Sequence, residues 1–174
     1  SMTKPITSVA LLMLYEQSLF NLDDPVTEFL PELKDTKVYE DGELVAPRKP
    51  MTVQHLLTHT AGFSYGSFGE ENAHVVDKMY DESKIFDNKG SLEEIVKGLA
   101  ALPLRFHPGT RWHYSVATDV VGRLVEVLSG QSLGSFINEN ICQPLGMVDT
   151  AFYIDPAKLD QLATLYGVTA ENPL

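Results

Sequence analysis

Apolar residues occupy nearly every face of the segment between Val9 and Leu14, inside a helix expected over residues 6–20. Such a pattern predicts a helix buried all round rather than an amphipathic surface helix. The stretch "LDDPVTEFLPEL" predicts a second, short helix, with Asp24 as its cap, Pro25 at its first position and Pro31 cutting it off. Alternation of apolar and polar residues in "TKVYEDGELVAPRKPMT" around Asp41-Gly42 predicts a β-hairpin, since that dipeptide accepts the positive φ angles of a tight turn. Thr52 is placed to cap a short helix, "VQHLLTH", closed near Gly62, and "SYGSFGEENAH" reads as a polar surface loop. Ser91 with Glu94 three residues on forms a capping box for a helix ending at Leu102-Pro103. After the turn-rich connector "RFHPGTRWHYS", helices are expected from Val116 to Leu128, Leu133 to Ile141 and Pro156 to Leu165, with "QPLGM" as a turn between the last two. Val120, Val121, Leu124 and Leu128 would face inward. No repeat or linker-like tract divides the chain, so residues 1–174 read as a single domain, helical apart from one hairpin.

Composition narrows the function. A chain of 174 residues with 44% hydrophobic content can bury a substantial core. Its formal charge of -11 would repel a nucleic-acid backbone or an anionic membrane surface. The apolar run Val9 to Leu14 is far shorter than the ~20 residues a membrane-spanning helix needs, and no basic segment precedes it. A lone cysteine, Cys142, offers no internal disulfide, which is compatible with cytoplasm or periplasm and reads as a small buried apolar residue.

The chemistry begins at the first residue. In Ser1-Met2-Thr3-Lys4-Pro5 the serine and lysine share one face of a helix start, so the Lys4 amine can approach the Ser1 hydroxyl. A serine hydroxyl becomes a useful nucleophile only when something takes its proton, and a lysine does so at neutral pH only if burial or a neighbouring cation lowers its pKa. The expected buried helix would supply that burial. Pro5 lacks an N–H and fits only near a helix start, where the macrodipole favours developing negative charge. Taken alone, Ser-x-x-Lys is a common pattern, and an N-terminal Ser-Met is also what tag removal leaves behind. Further along, Tyr114 and Ser115 stand at the mouth of the Val116 helix, where a phenol could reach a shared pocket.

The blocks "SMTKP", "LLTHTAGF", "PGTRWHYSVATDVVGRLVEVLSGQSL" and "ICQPLGMVDT" resemble, in order and over nearly the whole chain, the serine beta-lactamase-related family. That family comprises class C beta-lactamases, D-alanyl-D-alanine carboxypeptidases and family VIII carboxylesterases. The resemblance implies an α+β, beta-lactamase/transpeptidase-like fold, of which this chain covers mainly the helical subdomain with one β-hairpin and lacks most of the antiparallel sheet. It implies that "SMTKP" is internal sequence, that Ser1 is the acylated nucleophile, Lys4 its base partner and Tyr114 the second acid/base group. Part of the oxyanion hole would be the Ser1 backbone N–H, its second donor lying in the missing sheet. No cofactor is required.

Two departures shape the substrate expectation. Lactam-acting members carry Tyr-x-Asn where this chain has Tyr114-Ser115-Val116, and valine can neither donate to nor accept from a substrate amide. Ser115 and Val116 would be the substrate-binding positions, and Tyr-Ser-x resembles the esterase-like branch. A carboxylic ester is therefore expected ahead of a lactam or D-peptide. The Lys/His-Thr-Gly element of the family is absent, as is the strand region before the nucleophile, so the remainder of a longer parent chain is expected to complete the cleft. A catalytically inactive homologue serving as a binding or scaffold protein is the alternative of another class, opposed by the retained Ser1, Lys4 and Tyr114.

His55 and His59 lie one helical turn apart, yet the Glu of His-Glu-x-x-His and a third ligand are missing, so no metal is expected and a hydrogen-bonded His59 is preferred. His107 and His113 flank the tyrosine connector as satisfied loop histidines or substrate contacts. Trp112 and Phe63 could line a pocket or belong to the core. Asp119 could bond a cleft residue or simply sit in the favoured first turn of its helix.

Overall fold

The computed structural model describes residues 1–70, 72–87 and 90–164. Helix α1 (Thr3–Glu16) starts earlier and stops earlier than the expected 6–20, because Pro5 sits in the first turn, where no N–H is needed, and Ser18 adopts a left-handed φ of 58° that ends the helix. The expectation of burial all round is corrected: Ala10, Leu11 and Leu14 are buried, whereas Val9, Leu12 and Tyr15 are 47%, 40% and 41% exposed. The helix packs by one face, and its other apolar face is open.

The expected helix after Asp24 is two 3₁₀ turns, Val26–Glu28 and Pro31–Asp35. Its backbone is claimed elsewhere: the Val26 N–H donates to Met51 O at 2.8 Å, and the Asp24 carboxylate accepts from the Asn21 N–H at 2.6 Å instead of capping a helix. The hairpin forms as expected, β1 (Val38–Glu40) running antiparallel to β2 (Glu43–Val45) with Tyr39 opposite Leu44. Asp41 and Gly42 have φ of 51° and 91°, the left-handed pair that a two-residue turn requires. This is the only sheet among the described residues.

Thr52 is the N-cap of α2 (Val53–Leu57), which ends at Leu57, ahead of the expected close near Gly62. No element is expected over α3 (Val75–Ser83), and the preceding "surface loop" is half interior, since Ser64 is fully buried. The Ser91–Glu94 capping box opens α4 (Leu92–Ala100), with the Ser91 N–H donating to Glu94 Oε2 at 2.7 Å. Helix α5 (Ala117–Ser129) has Val116 as its N-cap residue. Helix α6 (Leu133–Ile137) runs into a π-helical turn, Asn138–Cys142. The final expected helix is a 3₁₀ turn, Pro156–Gln161, and its expected end at Leu165 lies outside the described residues. No helix among the described residues is long and apolar enough to cross a membrane.

Helix α5 is the centre of the core, contacting α1, α2, α4 and α6 through Val120, Val121, Leu124 and Val125. Around it, loops are fixed by polar groups buried between elements. Asp77 of α3, 5% exposed, accepts from Ser64 Oγ at 2.5 Å and from Arg105 Nη1 at 2.8 Å. Asp81 accepts from the Ser67 backbone N–H and hydroxyl. Gly62, at φ 98°, lets the Arg105 N–H reach its carbonyl at 2.7 Å, and a Cβ there would lie 2.5 Å from Phe106 O.

These contacts predict a stability effect. Asp77→Ala leaves the Arg105 guanidinium and Ser64 hydroxyl without their acceptor, and is expected to cost about 3–5 kcal/mol. Urea unfolding of the full-length protein checks this, and a cost below ~1 kcal/mol would mean the pair is dispensable.

Candidate active site

Ser1, Lys4 and Tyr114 are 113 positions apart at the extremes, yet they meet at one end of α1. Helix geometry brings Ser1 and Lys4 to one side, with the Lys4 N–H donating to Ser1 O at 3.3 Å. Tyr114 is delivered by the connector, which is laced to the turn after α2. Gly109 N–H donates to Thr60 O at 2.8 Å and His113 N–H to His59 O at 2.9 Å. Ser1 Oγ then lies 3.2 Å from the Tyr114 hydroxyl, and Lys4 Nζ lies 4.7 Å from the centre of the Tyr114 ring.

A ring from the loop before α3 closes the group. Tyr65 lies 5.3 Å from Tyr114 between ring centres, inclined at 40°, and its own ring centre is 5.8 Å from Lys4 Nζ. The lysine is thus held against two tyrosine faces. Sequence reading missed Tyr65, and nothing local could have found it: the residue reaches the site because Ser64 and Ser67 on either side of it are tied to Asp77 and Asp81.

The electrostatics reverse one expectation. Lys4 is not held below the lysine range by burial. Hydrogen bonding with the Tyr114 phenol raises it, against a smaller opposing effect of burial. The same interaction with Lys4, followed by that with Ser1, lowers the Tyr114 phenol below its ordinary value. Burial raises the Tyr65 phenol, and the nearby Asp119 carboxylate adds to the rise. Asp119 is itself raised by burial, with the Lys4 charge opposing. It belongs to the electrostatic surroundings of the site as well as to the first turn of α5. Lys4 is thus shifted toward its charged form and the Tyr114 phenol toward its ionised one.

Ser115 and Val116, expected beside the substrate, are each 1% exposed. The Ser115 N–H donates to His59 Nδ1 at 3.3 Å, and Val116 packs into the core ahead of α5. His59 is accordingly a bonded structural residue whose ring lies 5.1 Å from that of Tyr114. His55 Nδ1 accepts from the Thr52 N–H at 3.1 Å, an N-terminal capping role for α2. His107 is buried with Nδ1 accepting from the Arg48 N–H, and His113 Nε2 meets Arg105 Nη1 at 3.0 Å. Phe63 is core, whereas Trp112 is 67% exposed beside His59. The described residues hold no cluster of metal-binding side chains.

Comparison with known proteins sets this geometry in context. The sequence profile of the Beta-lactamase family matches residues 1–174. Esterase EstB of Burkholderia gladioli is 39% identical over 152 residues, which span 87% of this chain and 37% of EstB. The structure of EstCE1, described as a hydrolase with promiscuous acyltransferase activity, superposes with a TM-score of 0.80 at 34% identity, covering 100% of this chain and 43% of EstCE1. An octameric penicillin-binding protein homologue from Pyrococcus abyssi gives a TM-score of 0.67 at 28% identity, over 98% of this chain and 36% of that one. The chain spans less than half the length of each of these proteins.

Proposed function

Since the chain belongs to the beta-lactamase family, we propose that it is the helical part of a longer serine hydrolase that cleaves carboxylic esters through an acyl-enzyme on Ser1. The fold is of the beta-lactamase/transpeptidase type, represented here by its mostly helical portion with one two-stranded sheet. The observation that carries the reading is the 3.2 Å approach of Ser1 Oγ to the Tyr114 hydroxyl, with Lys4 charged beside that phenol. Similarity to an esterase and to a hydrolase with acyltransferase activity supports it.

In this reading Tyr114, as the phenolate paired with the Lys4 ammonium, accepts the Ser1 proton while Oγ attacks the ester carbonyl carbon. The tetrahedral adduct collapses, the bond to the alcohol oxygen breaks, and Tyr114 gives that oxygen its proton. Water then attacks the acyl carbon, losing a proton to Tyr114, and the acid leaves as Ser1 regains its own. Lys4 stabilises the phenolate without itself serving as the base. An alcohol replacing water in the second half would give acyl transfer with the same residues.

The preference for esters over lactams rests on Val116. Its side chain is apolar and buried, so the position after Ser115 offers no partner to a substrate amide. The remainder of the parent chain would supply the sheet side of the cleft. Incubating the full-length protein with a fluorophosphonate is expected to give one covalent adduct, located on Ser1 by peptide mass. Turnover of para-nitrophenyl acetate is expected to exceed that of nitrocefin by at least about tenfold in kcat/KM. Absence of the adduct would favour the inactive scaffold, and the reverse substrate order would favour the lactamase.

A further inference from the structure

The rings near Ser1 form a continuous surface. Tyr65 contacts Phe68 at 6.2 Å and Phe86 at 6.0 Å between ring centres, as well as Tyr114. From Tyr114 the line continues through His59 to Trp112, 6.4 Å further on. Its outer members are open: Phe68 is 82%, Trp112 67% and Phe86 45% exposed. Single exposed apolar side chains are ordinary, but a connected row of rings running past a nucleophile is not. Tyr114 lies within the row, so aromatic surface extends on both sides of it.

From this we infer that the site selects esters whose alcohol part carries a neutral apolar ring, which lies against this aromatic row. The inference rests on the proposed roles of Ser1 and Tyr114. The group that Tyr114 protonates on leaving is the alcohol oxygen, so the alcohol sits next to Tyr114, whose neighbours in the row are Tyr65 toward Phe68 and Phe86 and His59 toward Trp112. Stacked or edge-to-face contact with a flat partner adds to simple burial, which a flexible alkyl chain of equal size gains less of and offsets by losing rotamer freedom. The charge of -11 disfavours an anionic alcohol part.

The test compares benzyl acetate with n-heptyl acetate on the full-length protein. Both are primary esters of seven-carbon alcohols, and each rate is divided by that of hydroxide hydrolysis to remove leaving-group differences. The kcat/KM ratio is expected to favour benzyl by about tenfold. It is expected to fall at least threefold toward unity in Trp112→Leu, Phe68→Leu or Phe86→Leu, where the open rings are not needed for folding. Tyr153→Leu, an 89% exposed ring outside the row, is the control and keeps the ratio. A wild-type ratio near one, or a ratio indifferent to all three substitutions while the fluorophosphonate still labels Ser1, overturns the ring preference and leaves the hydrolase reading standing. Failure to label Ser1 overturns both.

Discussion

Ser1→Ala in the full-length protein is expected to lower kcat/KM for para-nitrophenyl acetate by roughly 10⁴–10⁶ and to abolish the fluorophosphonate adduct. The size follows from what the substitution removes. Covalent catalysis divides one difficult displacement into two easier ones, and no neighbouring group can replace the missing oxygen, since Tyr114 and Lys4 are arranged around it. The residue is exposed at the start of α1, so the loss cannot be charged to unfolding. A circular dichroism melt unchanged within about 2 °C is the companion measurement. A loss under about tenfold would show that the hydrolysis runs without Ser1.

Tyr114→Phe is expected to cost about 10²–10⁴ in kcat/KM, the range for a displaced general base, while preserving the ring contacts to Tyr65 and His59. The pH profile carries the sharper prediction. Lys4 lowers the Tyr114 phenol, so the wild-type rate should rise with pH through a value below the ordinary tyrosine pKa of 10.0. It should fall again only when Lys4 loses its proton, above the ordinary lysine value of 10.5. Lys4→Met removes the principal cause of the lowering, and the rising limb should move up toward 10.0. Lys4→Arg keeps a cation beside the phenol and should shift that limb less. If Lys4 were itself the base, its pKa would have to lie near or below the working pH. Lys4→Arg would then be as damaging as Lys4→Met.

Elements set by neighbouring residues were legible in the sequence. The Ser91–Glu94 box, the Asp41-Gly42 turn and the span of α5 depend on hydrogen bonds and φ preferences within a few positions, and each appears within a residue or two of its expected place. Elements decided by remote partners were not. Asp24 and Pro25 look like a helix start, but the Met51 carbonyl takes the Val26 N–H and turns the segment into 3₁₀ structure. The ordered blocks that resemble the beta-lactamase family carried the fold class correctly, because they span the whole chain rather than one motif.

The site divides in the same way. The sequence by itself brought forward the candidate groups: a serine and lysine one helical turn apart, and a tyrosine ahead of an amphipathic helix. Tertiary structure alone decided how they lie against one another. Whether Lys4 is raised or lowered depends on the balance between desolvation and a phenol more than a hundred positions away, and hydrogen bonding with Tyr114 tips it upward. Tyr65, the buried Asp77 that helps hold its loop, and the row of rings beside Ser1 were likewise decided only in the fold. Their energies come from approach in space between side chains that no local spacing relates.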